Sequence, residues 1–131
     1  MKTIYLATPY SHKFKFIRNL RYNNVTKVAA KIMDQYGHNV FSPITHSHPI
    51  AVLGNLPALD HEFWLRLDKW YVDRCDELWV YTQHGWRTST GVRREVSWAY
   101  EEGKKVYLVN KYGNTYVRKI KLLTNVEKEL G

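Results

Sequence analysis

The strongest constraint on this chain is the way its apolar residues change period along the sequence. Short runs rich in β-branched and aromatic residues alternate with longer stretches whose apolar positions recur every three or four residues, which is the pattern of strands joined by helices. TIYLAT (residues 3–8) ends at Pro9 and predicts a buried first strand. From Phe16 to Tyr36, Ile17, Leu20, Val25, Val28, Ala29, Ile32 and Met33 keep helical spacing, and Gly37 stands where a left-handed C-cap belongs. HNVFSPI (38–44) predicts a second strand broken by Pro43, followed by a long loop to Pro57. A second helix is expected over Asp60–Arg74, with Phe63, Trp64, Leu67 and Tyr71 on its apolar stripe. ELWVYT (77–82) predicts a third strand, QHGWRTSTG (83–91) a loop, VRREVSWAYEE (92–102) a helix closed by Gly103, and KKVYLVN (104–110) a fourth strand. Beyond Tyr112, TYVRKIKLL (115–123) predicts a short strand and NVEKEL (125–130) a terminal helix.

This order predicts one small α/β domain over residues 1–131, built on a doubly wound, flavodoxin- or Rossmann-like parallel sheet of four to five strands with helices on both faces. In such a sheet ligands bind outside the carboxyl ends of the strands, near the point where strand order reverses. The rule selects four loops: Thr8 to His12, Ser42 to His48, Gln83 to Ser89 and Asn110 to Asn114.

Composition narrows the class of protein. Aromatic content is 15%, too high for a disordered chain. The lone Cys75 cannot form an internal disulfide, and the opening MKTIYLATPY lacks the regions of a secretory signal, so a cytoplasmic address is expected. No apolar run approaches the roughly 20 residues of a membrane span, which argues against membrane attachment. The formal charge of +8 favours an anionic partner. Because the basic residues are spread over segments 13–31, 87–94, 104–111 and 118–128, a small phosphate-bearing ligand fits better than a nucleic acid.

Two carboxylates break the apolar pattern. Glu95 projects between Val92 and Ala99, on the core-facing edge of its helix, and Asp68 falls among Trp64, Leu67 and Tyr71. A buried acid is either satisfied by a neighbouring donor or functional, and both readings stand for each residue. The early turns of the helix favour an ionised Glu95, which suits a nucleophile. Paired inward acids suit chemistry at a sugar's anomeric carbon, where one carboxylate attacks or steadies the oxocarbenium-like centre and the other serves the leaving group or water. Ser89 or Thr90 is a natural cap for the helix, and Gly91 lets a ligand approach the backbone, although an ordinary capped helix would look the same. His46 and His48 alternate in the second loop; they lack a further ligand at metal spacing, so base recognition or packing is expected and no metal or organic cofactor. Neither a Walker loop nor a dinucleotide fingerprint occurs, and Ser11 beside His12 lacks a nucleophile elbow.

Three segments together resemble the nucleoside 2-deoxyribosyltransferase superfamily, which includes the deoxynucleoside 5′-monophosphate N-hydrolases. They are IYLATPY, the stretch that ends in Asp68 with Asp76 eight residues later before an apolar strand, and STGVRREVSWAYEEGKKVYLV. The likeness covers about residues 3 to 109 and is strongest to short, largely uncharacterised members, which share a serine–proline–histidine loop like SPITHSHP and a glycine–tryptophan pair like Gly85-Trp86. The resemblance implies that Glu95 is the nucleophile and that Asp68 donates a proton or orients it. It implies 5′-phosphate contacts from Ser89 and from the first loop, where Thr8, Tyr10 and Ser11 lie, and it makes Tyr10 the candidate for a tyrosine on the glutamate. His46, Trp64 and Trp86 are candidate walls for the base. Arg93 and Arg94 depart from the family's pattern, and the short basic tail offers no match to the terminal residues that complete a neighbour's site in some transferases. The expectation is therefore an N-glycoside hydrolase of a (2′-deoxy)nucleoside 5′-monophosphate, acting as a homodimer or higher homo-oligomer. A base-exchanging deoxyribosyltransferase and a non-catalytic nucleotide-sensing protein are the alternatives.

Overall fold

The computed structural model describes residues 1–118 and contains β1 (Thr3–Ala7), α1 (Lys15–Tyr36), β2 (Asn39–Phe41), α2 (Pro43–Leu53), α3 (His61–Arg74), β3 (Glu77–Tyr81), α4 (Thr90–Glu101), β4 (Lys105–Val109) and β5 (Thr115–Arg118). The strands form one sheet in the order β2-β1-β3-β4-β5, with β5 antiparallel to β4 and all other pairs parallel. The expected α/β sheet is therefore present, with an antiparallel edge strand of the kind that doubly wound sheets accept. The chain leaves β1 for β2 on one side and returns past it to β3 on the other. The order reverses at β1 and β3, and a crevice opens beyond their carboxyl ends.

Strand residues alternate between two cores. Ile4 and Leu6 of β1, with Trp79 and Tyr81 of β3, pack under Val25, Val28, Ala29 and Ile32 of α1 and Ile44 of α2. Tyr5 and Ala7, with Leu78, Val80, Val106 and Leu108, pack under Val72 of α3 and Val92, Val96 and Ala99 of α4. Burial on both faces explains why these strands read as continuous apolar runs.

Most helix ends follow their local signals. Gly37 adopts φ 68° and donates its N–H to Met33 O at 3.0 Å, ending α1. Asp60 caps α3 by accepting from Phe63 N at 3.2 Å. One expectation is overturned: residues 43–53, read as a loop, form α2. Pro43 occupies the first turn, where its missing N–H costs nothing, and Ser42 caps the helix by accepting from Thr45 N at 3.4 Å. The same Pro43 that signals a break therefore starts a helix. The second strand is correspondingly shortened to Asn39–Phe41. The α3 stripe is also corrected, since Phe63 is exposed and Val72 is the buried residue of that helix. Of the expected tail elements, the strand is present at Thr115–Arg118, while its continuation to 123 and the terminal helix lie outside the described residues.

The β4–β5 turn is pressed onto α1 through Gly113, whose φ is 82° and where an added Cβ would lie 3.0 Å from Lys31 Cβ and 3.4 Å from Ile32 N. A Cβ at Gly37 would meet nothing within 4 Å. Gly37→Ala is expected to cost about 1 kcal/mol, the left-handed penalty alone, and Gly113→Ala about 2–3 kcal/mol because crowding adds to it. Chemical denaturation of the two variants, with equal losses counting against the packing argument, checks this.

Candidate active site

The crevice beyond β1 and β3 is a cavity of about 330 Å³, walled by the β1–α1 loop, α2, α3, and the start of α4. Glu95 reaches it because α4 buries Val92, Glu95, Val96 and Ala99, one stripe at helical spacing that includes the acid. Asp68 reaches it from α3, whose Leu65 and Trp64 line the same cavity. The position of α3 is set by a run of rings in which Tyr5 lies against Phe41 at 5.8 Å and Phe41 stacks on Tyr71 at 3.6 Å, three residues along the helix from Asp68.

Glu95 is 7% exposed, and its Oε2 accepts a hydrogen bond from the Tyr5 hydroxyl, which rises from the middle of the sheet. Burial pushes the Glu95 carboxyl well above the usual range, the charge of Asp68 pushes it further, and the Tyr5 bond and Arg94 oppose them. Burial likewise raises Asp68 to about 7, against the lowering effect of Arg94. Asp68 Oδ1 is buried without a hydrogen-bond partner among the described residues. The expectation that the helix dipole favours an ionised Glu95 is corrected: Glu95 lies in the second turn of α4, where the dipole has faded and burial dominates. Arg94 lines the cavity without an ion pair of hydrogen-bond length among the described residues. Arg21, its charge disfavoured by burial, also lines it and donates to Ser11 O at 2.9 Å.

Thr8, Tyr10, Ser11, Trp64, Asp68, Ser89, Gly91 and Glu95 all line this one cavity. Ser89 caps α4, accepting from Val92 N at 3.2 Å, and Gly91 leaves the backbone open, since an added Cβ would meet only Ser89 Oγ at 3.9 Å. The Thr8 hydroxyl is occupied, donating to Tyr81 O at 3.1 Å and accepting from Gln83 Nε2 at 2.8 Å. Three expectations are corrected. Tyr10 does not hold Glu95; its hydroxyl meets His48 Nδ1 at 2.7 Å, and Tyr5 takes the place on the glutamate. His46 is exposed against Phe41 because it faces away on α2, and His48, half a turn on, is the histidine in the wall. Trp86 packs on the α3–α4 core with Arg87 beside its ring at 4.9 Å, and Trp98 lines the cavity instead. Tyr5 had a signal that was passed over: a tyrosine at the centre of a buried strand needs a hydroxyl partner. The alternation of His46 and His48 marks both histidines, and only the helix separates them, since residues two apart lie on different faces of α2.

Among the described residues no three His, Cys, Asp or Glu side chains are grouped to hold a metal, and no helix is long and apolar enough to cross a membrane.

The fold is similar to that of a solved 2-deoxyribosyltransferase from the psychrotolerant bacterium Bacillus psychrosaccharolyticus, with 22% identity over 95% of this chain and 90% of that one at a TM-score of 0.55. FerB, a flavoenzyme NAD(P)H:(acceptor) oxidoreductase from Paracoccus denitrificans, aligns at 18% identity over 84% of this chain and 60% of that one, with a TM-score of 0.42. No curated protein matches the chain in sequence. The profile of a family described as "Domain of unknown function (DUF1937)" matches residues 2–111, and the chain belongs to that family.

Proposed function

We propose that the protein is an enzyme that cleaves the N-glycosidic bond of a (2′-deoxy)nucleoside 5′-monophosphate, with Glu95 as nucleophile and Asp68 as the acid that serves the leaving base. The observation that carries this reading is the pair of buried carboxyls on one cavity, with Tyr5 donating to one of them and the other left without a donor. Burial raises both acids and the charge of Asp68 raises Glu95 further, so the loss of the second proton from the pair is disfavoured. In this reading the form that reacts carries the charge on Glu95, where the Tyr5 hydroxyl opposes the burial that disfavours it, and the proton on Asp68, whose Oδ1 has no donor to support an anion.

The steps then balance. A Glu95 oxygen bonds to C1 of the sugar, the C1–N bond breaks, and its electron pair leaves with the base, which takes the proton from Asp68. Water next attacks C1, gives a proton to the Asp68 carboxylate, and displaces Glu95 as a free carboxylate. The Ser89-capped start of α4 and the guanidinium of Arg94 suit an anionic 5′-group. Trp64, Trp98, Ile44 and Ala51 make an apolar wall suited to a base. The fold shared with a 2-deoxyribosyltransferase supports glycosyl chemistry and favours a second reading, in which a free base replaces water. Either reading fits a cytoplasmic homo-oligomer.

Incubation with a panel of deoxynucleotides is expected to release free base, and Glu95→Gln to lower the rate at least ~10³-fold. Equal, slow release by both proteins would refute the nucleophile. Incorporation of an added second base into product distinguishes exchange from hydrolysis.

The reaction needs Asp68 protonated, so kcat/KM is expected to fall as pH rises through about 7, the value to which burial lifts that acid. Asp68→Asn is expected to remove this alkaline limb along with most of the rate; a limb that persists unchanged assigns it elsewhere.

Stability should move the opposite way to activity. Both carboxyls titrate higher in the folded protein than in the unfolded chain, so the cost of ionising them is absent below about pH 4 and grows as pH rises toward their folded values. Asp68→Asn and Glu95→Gln are expected to stabilise the fold by roughly 1–3 kcal/mol near pH 8 and by little near pH 4. Thermal denaturation at the two pH values measures this, and a loss at pH 8 would mean the acids are structural.

A further inference from the structure

The wall of the cavity opposite the start of α4 contains a histidine held more firmly than packing requires. His48 is 9% exposed and its ring stacks on Tyr22 at 4.3 Å, with the edge of Tyr10 at 5.6 Å. Its Nδ1 meets the Tyr10 hydroxyl at 2.7 Å. Burial raises the Tyr10 phenol against the lowering charge of Arg18, so the hydroxyl keeps its proton and can donate it to His48 Nδ1. With the phenol as donor, the neutral imidazole carries its hydrogen on Nε2. Burial and the nearby Arg18 charge disfavour imidazolium, which keeps the ring a neutral donor. Nε2 has no protein partner among the described residues, although the side chain lines the cavity that holds Glu95 and Asp68.

The chemistry of the walls says what this donor would meet. The anionic end of a substrate belongs with the α4 amides, Ser89 and Arg94, and the apolar side formed by Ile44, Ala51 and Leu65 belongs with a flat heteroaromatic ring. His48 is the neutral donor on that apolar side. Every nucleobase offers a ring nitrogen or carbonyl oxygen as acceptor at its edge.

We infer that His48 is the residue that reads the base, donating from Nε2 to an acceptor on the ring, with Tyr10 as the positioning residue that holds its tautomer. This rests on the nucleotide reading above. It adds a discriminating contact, because a donor aligned with a base acceptor rejects rings that lack one.

Binding separates this inference from catalysis. Calorimetry would compare the tightest-binding deoxynucleoside 5′-monophosphate with 2-deoxyribose 5-phosphate, which carries the same sugar and anion without the base. His48→Phe is expected to weaken the nucleotide roughly 10- to 100-fold while leaving the sugar phosphate within about twofold. His48→Gln, which keeps an N–H near the same place, is expected to recover most of the loss. Equal weakening of both ligands by His48→Phe, or no weakening of either, overturns the inference, as does failure of His48→Gln to bind better than His48→Phe. Thermal melts of each variant without ligand show that the fold is intact. A protein that binds the nucleotide through His48 yet releases no base in a Glu95-dependent way would refute the glycosidase reading and leave the base contact standing.

Discussion

The contact between Tyr5 and Glu95 organises this molecule's site, because it joins the centre of the sheet to a helix that would otherwise bury an acid alone. A carboxyl taken from water without a partner is costly, and α4 can keep Glu95 in its apolar stripe only if a donor meets it there. Tyr5 supplies that donor from β1, between β2 and β3, where the backbone is held by parallel partners on both sides. The same ring leans on Phe41, which stacks on Tyr71 of α3. One tyrosine thus sets the position of both acids, directly for Glu95 and through two aromatic contacts for Asp68.

A second buried acid shows what a purely structural carboxylate looks like in this fold. Glu77, at the start of β3, accepts from Lys2 Nζ at 2.6 Å and Trp79 Nε1 at 3.1 Å, so both of its oxygens have donors. It lies at the amino end of the sheet, away from the crevice. Glu95 and Asp68 differ in the property that matters: the pair has one neutral hydroxyl donor, one orphaned oxygen, and a cation too distant to pair with either. Under-satisfaction at the carboxyl end of the strands is what folding alone would remove and what the proposed catalysis uses.

The parts legible in the sequence were those encoded by local period. Strands β1, β3 and β4 and helices α1 and α4 follow from runs of alternating character, and Glu95 and Asp68 stand out because each violates the stripe it sits on. Two kinds of information were hidden. Pro43 carries opposite meanings within a helix and at its first turn, and the hydrogen bond from Thr45 N to Ser42 decides between them, so α2 is hidden and with it the choice between His46 and His48. Partner choice across the fold was hidden too. Tyr5 and Tyr10 are five residues apart on the same strand and loop, and which hydroxyl reaches Glu95 depends on strand direction and on the packing of α4, not on spacing. Trp86 and Trp98 were confused for the same reason.

Charge within the cavity completes the physical picture. The formal charge of +8 is spread over the chain, but the crevice is lined by two guanidiniums, Arg21 and Arg94, and two carboxyls that burial pushes up. The enclosed balance is about one positive charge in excess while the pair keeps its proton. That excess suits a bound anion. In the proposed reaction the remaining negative charge, on the Glu95 side, meets the cationic character that develops at C1 as the base departs. An anionic ligand also offsets the lowering effect of Arg94 on the acids, so binding such a group raises their affinity for protons, which in the proposed reaction favours the protonated form of Asp68.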